Sequence, residues 1–139
     1  MIKTGTQIQG DIYRLLKEST LEGMLTGGVY RSGYRPRSGR LEDAVVIFTA
    51  GQPDQLQTGV VTVNVYVPDI DPYKNGVLVM DGARVETLEK ALQGWVESLT
   101  CGVSNYKFQL KQTICTESDE DINQHFIVVK LKYTYFDGE

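Results

Sequence analysis

The chain has 139 residues, 41% of them hydrophobic and 23% charged, with a formal net charge of −4. That length suits one domain around one core, and the balance is that of an ordinary globular protein and not of a disordered chain. An acidic excess argues against a protein that coats nucleic acid, and the longest apolar runs, near Ala44–Phe48 and Val77–Met80, are strand-length, far short of the ~18 residues that span a membrane. The opening MIKTGTQIQGD lacks the apolar segment of a secretory signal. Two cysteines, Cys101 and Cys115, do not make a disulfide framework, so a reducing intracellular setting is expected.

Taken in chain order, Ile8, Ile12, Leu15 and Leu16 recur at helical spacing and predict a helix over about Thr6–Ser19, with Thr6 as its N-cap. Gly27-Gly28 ends that region. The stretch YRSGYRPRSGR over residues 30–40, punctuated by Gly33, Pro36 and Gly39, reads as a loop. Leu41 to Ala50 reads as a buried strand closed by a turn at Gly51–Asp54. In GVVTVNVYVP, Val61, Val63, Val65 and Val67 share one face, while Val60, Thr62, Asn64 and Tyr66 share the other.

Pro68 closes that strand, and Asp69–Gly82 forms a long connection with an Asn75-Gly76 turn and a short strand-like run at Val77–Met80. The second helix is predicted over about Ala83–Leu99, where Val85, Leu88, Leu92, Trp95, Val96 and Leu99 form one stripe. Two alternating segments follow, one holding Tyr106, Phe108, Leu110 and Ile114, the other Ile127, Val129, Leu131, Tyr133 and Tyr135. The acidic stretch Glu117–Asn123 joins them as a solvated turn, which makes the pair a hairpin. The order α-β-β-α-β-β predicts an α+β domain: an antiparallel-rich, mixed sheet with both helices packed on one face.

No constellation of residues points to catalysis. His125 is the single histidine, and a Cys115–His125 pair would have to meet across the hairpin. Alternation puts Cys115 on the polar side and His125 on the apolar side, and opposed residues must share a face. Only a bulge would reunite them. There is no second histidine and no C-x-x-C for zinc. Asp69, Asp71, Asn75 and Asp81 invite calcium, but counting from Asp69 places Lys74 at the required glycine and Met80 at the required acid, so these aspartates read as turn formers. Neither Gly27-Gly28 nor Ser38-Gly39-Arg40 fits a phosphate loop. The expectation is a protein with no catalytic residues, no cofactor and no metal.

The mixture of Tyr30, Arg31, Tyr34, Arg35, Arg37 and Arg40 is that of single-strand nucleic-acid binders, and a nucleic-acid-binding module using loop 30–40 is the alternative reading. A solvated loop with tyrosines against its own stem is the plainer one. A third reading takes Arg31, Arg35, Arg37 and Arg40 together with Glu117, Asp119, Glu120 and Asp121. Opposed basic and acidic loops on one small domain would suit head-to-tail self-association, which closes into a ring when the rotation permits.

Several stretches in order carry a resemblance: GGVYRSGYRP after the first helix, VVIFTAG, VVTVNVYVPD, the amphipathic ARVETLEKALQGWVESL, and the final HFIVVKLKYTYF. Over nearly the whole chain this pattern resembles the tail terminator (tail completion, or head–tail joining) proteins of long-tailed bacteriophages and prophages. The connection Asp69–Gly82 departs from it by being longer than in compact members. The resemblance implies a small α+β subunit that forms a ring, typically hexameric, on the growing tail. There it would end polymerisation of the tail tube protein and offer a surface to the head-completion or connector protein. It also implies a place at the head–tail junction of the virion after assembly in the bacterial cytoplasm, binding without a cofactor, and no membrane.

Overall fold

The computed structural model describes residues 2–136. Helix α1 spans Gly5–Lys17 and is capped by Thr4, whose hydroxyl accepts the Gln7 N–H while the Gln7 side chain accepts the Thr4 N–H. Thr6-x-x-Gln9 has the same spacing, but Gln9 is drawn away to bond Arg31, so the helix starts two residues before the sequence expectation. Ile8, Ile12 and Leu16 are fully buried, and Leu15 is half-buried beside them.

After a 3-10 turn at Glu22–Met24 comes β1 (Val29–Arg31), which pairs parallel with β2 (Ala44–Gln52). Three residues are too few to show alternation, so β1 is not legible in the sequence. Its parallel pairing nevertheless makes the sheet mixed. β2 begins three residues later than expected, because Glu42 and Asp43 are taken into ion pairs.

β2 runs antiparallel to β3 (Leu56–Pro68), with one irregularity between Phe48 and Ala50. Helix α2 (Gly82–Leu99) follows the long connection. Asp81 caps it by accepting the Arg84 N–H, and the predicted apolar stripe is buried. β4 (Tyr106–Leu110) and β5 (Cys115–Asp119) then pair in turn with the two halves of β6 (Gln124–Phe136). The expected seven-residue turn is therefore shorter. Glu117–Asp119 belong to β5, and a 3-10 turn at Glu120–Ile122 with Asn123 at φ 54° reverses the chain.

Strand order is β1-β2-β3-β6-β4, with β5 continuing the line of β4 along β6. This is an α+β fold with a six-stranded mixed sheet and two helices. Val61, Val63, Val65 and Val67 of β3 form one continuous core with β6 and with the buried residues of both helices. Each such aliphatic side chain taken from water contributes about 1.5–3 kcal/mol before entropy is counted.

The sheet has two distinct ends. The start of β2, the close of β3 and the start of β6 meet at one; the β2–β3 turn, the close of β6 and the start of β4 meet at the other.

Candidate interaction surfaces

The strand register decides the cysteine–histidine question. Leu110 faces Leu131, but the next paired residue, Cys115, faces Val128. Five residues on one strand thus span three on the other. Two extra residues preserve the alternation, so the irregularity does not bring Cys115 round to the face of His125. Ser118 stands opposite His125 instead. His125 lies at the edge of the helix-covered face, its Nδ1 2.6 Å from Asp69 Oδ1. The other loop aspartates are also engaged locally. Asp71 accepts the N–H groups of Asn75 and Gly76, and Asp81 caps α2. Among the described residues, no group of three or more acidic, histidine or cysteine side chains is placed to hold a metal ion.

The arginine-rich loop is built into the fold at three of its four arginines. Arg35 donates from Nε to Asp43 Oδ2 at 2.9 Å and from Nη2 to Gln124 Oε1 at 2.9 Å, and its guanidinium lies 4.0 Å from the centre of the Tyr66 ring. The Arg35 side chain is only 13% exposed and that of Asp43 only 3%. Asp43 also accepts the Gly28 N–H, and Gln124 donates back to the Gly39 carbonyl. Consecutive acids thus serve opposite sides: Asp43 holds the loop, while its neighbour Glu42 takes a bidentate pair from Arg84 of α2 at 2.7 and 2.8 Å. Arg84 is held charged still more firmly, first by that hydrogen bond.

Arg31 reaches back to Gln9 and the Thr6 carbonyl of α1, and Arg40 donates to the Ile122 carbonyl at 2.8 Å. Arg37 is exposed and has no hydrogen-bond partner among the described residues. Arg35 is therefore an internal strut and not a free interface residue.

The acidic residues lie close by. Glu117, Glu120 and Asp121 are exposed and Asp119 is half-buried. The Arg40–Ile122 bond places their turn beside the arginine loop, so the expected separation of basic and acidic surfaces is not what the fold produces. The reason is topological. A parallel β1–β2 pair obliges the connecting loop to return to the start of β2, where β6 also starts.

The same end carries an apolar arm. Ile70 and Val79 exchange both backbone hydrogen bonds, and Asp71 closes the tip through Asn75 and Gly76. Lys74 and Gly76 take the left-handed conformations this tight turn needs. The arm leaves Ile70, Tyr73, Val77, Leu78, Val79 and Met80 exposed, Tyr73 at 82% and Val77 at 58%. Clustered apolar exposure makes this arm a candidate interaction surface.

No protein-family model matches the chain, and no curated protein matches it. One solved protein without a descriptive name aligns over 96% of this chain and 98% of its own, at 17% identity and a TM-score of 0.48.

At the far end of the sheet, Leu56, Val103, Tyr106 and Phe136 line a cleft of about 630 Å³. Leu56 and Phe136 pair across β3 and β6, and each is 51% exposed. Beside the cleft, Asp11 gathers Lys3, Arg14 and the Tyr106 hydroxyl, the last at 2.6 Å. Burial, and then that bond to Asp11, push the Tyr106 phenol far above its ordinary value. The cleft draws on residues 56, 102–107, 134 and 136, which lie too far apart in sequence to be read together. The Val77–Met80 run was legible as apolar, but only its exposure marks it as a surface.

Proposed function

We propose that this protein is a structural assembly subunit of a long-tailed bacteriophage or prophage. As a ring it caps the tail tube, ends tail polymerisation and joins tail to head, acting by binding and using no cofactor. The reading rests on the resemblance carried by GGVYRSGYRP, VVTVNVYVPD and the elements around them. The observation that supports it best is the apolar arm, with its six exposed large side chains, because an assembly subunit must keep apolar surface available for its neighbours. The two acid–arginine pairs behind the arm, Glu42–Arg84 and Asp43–Arg35, give that end a rigid base.

The test uses the tail tube protein of the same phage or prophage. Added during polymerisation, the purified chain is expected to stop tube growth and remain as a ring at one end in negative-stain images. Tubes that keep lengthening without bound protein would overturn the reading.

A further inference from the structure

Two apolar surfaces on this chain lie at opposite ends of the sheet. The arm leaves the sheet after Pro68, the last residue of β3, and the cleft includes Leu56, the first. Thirteen residues of strand at about 3.3 Å each separate them by roughly 40 Å. No arm can reach the cleft of its own chain. The shapes also differ in kind, one a bridged hairpin with exposed apolar side chains and the other a cleft of about 630 Å³. Their charges differ as well. The arm itself, residues 69–81, carries Asp69, Asp71 and Asp81 against Lys74, whereas Lys107 is the one charged side chain among the described residues that line the cleft.

From this we infer that the arm of one copy, led by Val77, Leu78 and Val79, seats in the Leu56–Phe136 cleft of the next. The occupant is a second copy of this chain. A hairpin at one end and a cleft at the other make a heterologous contact, which leaves an unused arm and an unused cleft after every addition. Such a chain of subunits ends only by closing on itself. The inference rests on the ring reading above and names the contact that would build it. It also replaces the charge-based contact, since the arginine loop and the acidic turn lie side by side at one end and do not present opposite surfaces to successive neighbours.

The experiment follows from the asymmetry. Leu78→Asp with Val79→Asp disables the arm and leaves the cleft intact; Leu56→Asp with Phe136→Asp does the reverse. All four positions are at least 40% exposed, so both variants retain the core. In light scattering at concentrations where the unaltered protein is oligomeric, each variant alone is expected to be a monomer. Mixed in equal amounts they should give one species of twice the 15.6 kDa chain mass and nothing larger, because one good arm meets one good cleft.

A second measurement uses Leu78→Cys with Leu56→Cys in a background of Cys101→Ser and Cys115→Ser, which removes both native thiols. Oxidation should give a ladder of covalent multimers, since the two sites are too distant to join within a chain. Rings that survive both double substitutions would overturn the arm–cleft contact while leaving the ring reading in place. A protein that is monomeric throughout and gives no ladder would overturn the contact. Whether such a protein still stops tube growth then decides the capping reading separately.

Discussion

Arg35 and Arg37 show how the same residue type means different things two positions apart on a loop. The Arg35 guanidinium is shared between the Asp43 carboxylate, the Gln124 amide and the Tyr66 face, with almost no solvent at the acid. Removing it strands a buried charge, a loss of about 3–5 kcal/mol in pairs of this kind. Arg35→Met should therefore lower the urea midpoint sharply. Arg37→Glu, on an exposed side chain, should move stability by no more than about 0.5 kcal/mol. Equal effects from the two variants would refute the strut assignment. Tyr106 supplies a second prediction at this scale. The folded chain keeps the phenol proton to higher pH than the unfolded chain does, because burial and Asp11 both oppose the phenolate. Its contribution is thus complete below the unfolded value of 10.0 and is lost as pH climbs above it. Tyr106→Phe should flatten the fall of urea stability between pH 9 and 11, at a cost near neutral pH of about 1–2 kcal/mol. An unchanged alkaline slope would count against it.

Among the elements, the long ones were legible and the short ones were not. The α2 stripe from Val85 to Leu99 and the odd-numbered valines of β3 follow from spacing alone, since burial on one face imposes a period. β1 has only three residues, and its existence depends on β2 being beside it. The two extra residues between β4 and β5 leave the alternation intact, which is why counting predicted correctly that Cys115 and His125 lie on opposite faces despite an irregularity it did not locate. Helix starts depend on competition for caps. Asp81 caps α2, whereas α1 chose Thr4 over Thr6 because Gln9 had a better partner in Arg31. Asp81→Ala should cost about 1 kcal/mol in thermal or urea unfolding, and it should also loosen the base of the arm, seen as faster amide exchange at Ile70 and Val79. Unaltered exchange there would separate the cap from the arm.

At the scale of the molecule, the placement of loops on the sheet overrides what their composition suggests. The arginines of residues 31–40 look like a nucleic-acid loop in sequence. In the fold, Arg31, Arg35 and Arg40 are turned to α1, to Asp43 with Gln124, and to Ile122. A groove that tracks a phosphate backbone needs such side chains turned outward, and here acidic Glu120 and Asp121 stand beside them on a chain of net charge −4. The apolar arm and the far cleft have the opposite history. Neither has an unusual composition, and their significance comes from lying unsatisfied at opposite ends of one 13-residue strand.

By itself the sequence determined the α+β class, both helices and the inward face of β3 and β6, because local periodicity records which side of an element is dry. Only the tertiary structure decided the partners: which arginine is buried, that the acidic turn lies beside the basic loop, and that residues 56, 103, 106 and 136 share a cleft. Those facts depend on strand order and on the parallel return of β1 to β2, and contacts between residues distant in the chain leave no period in the sequence.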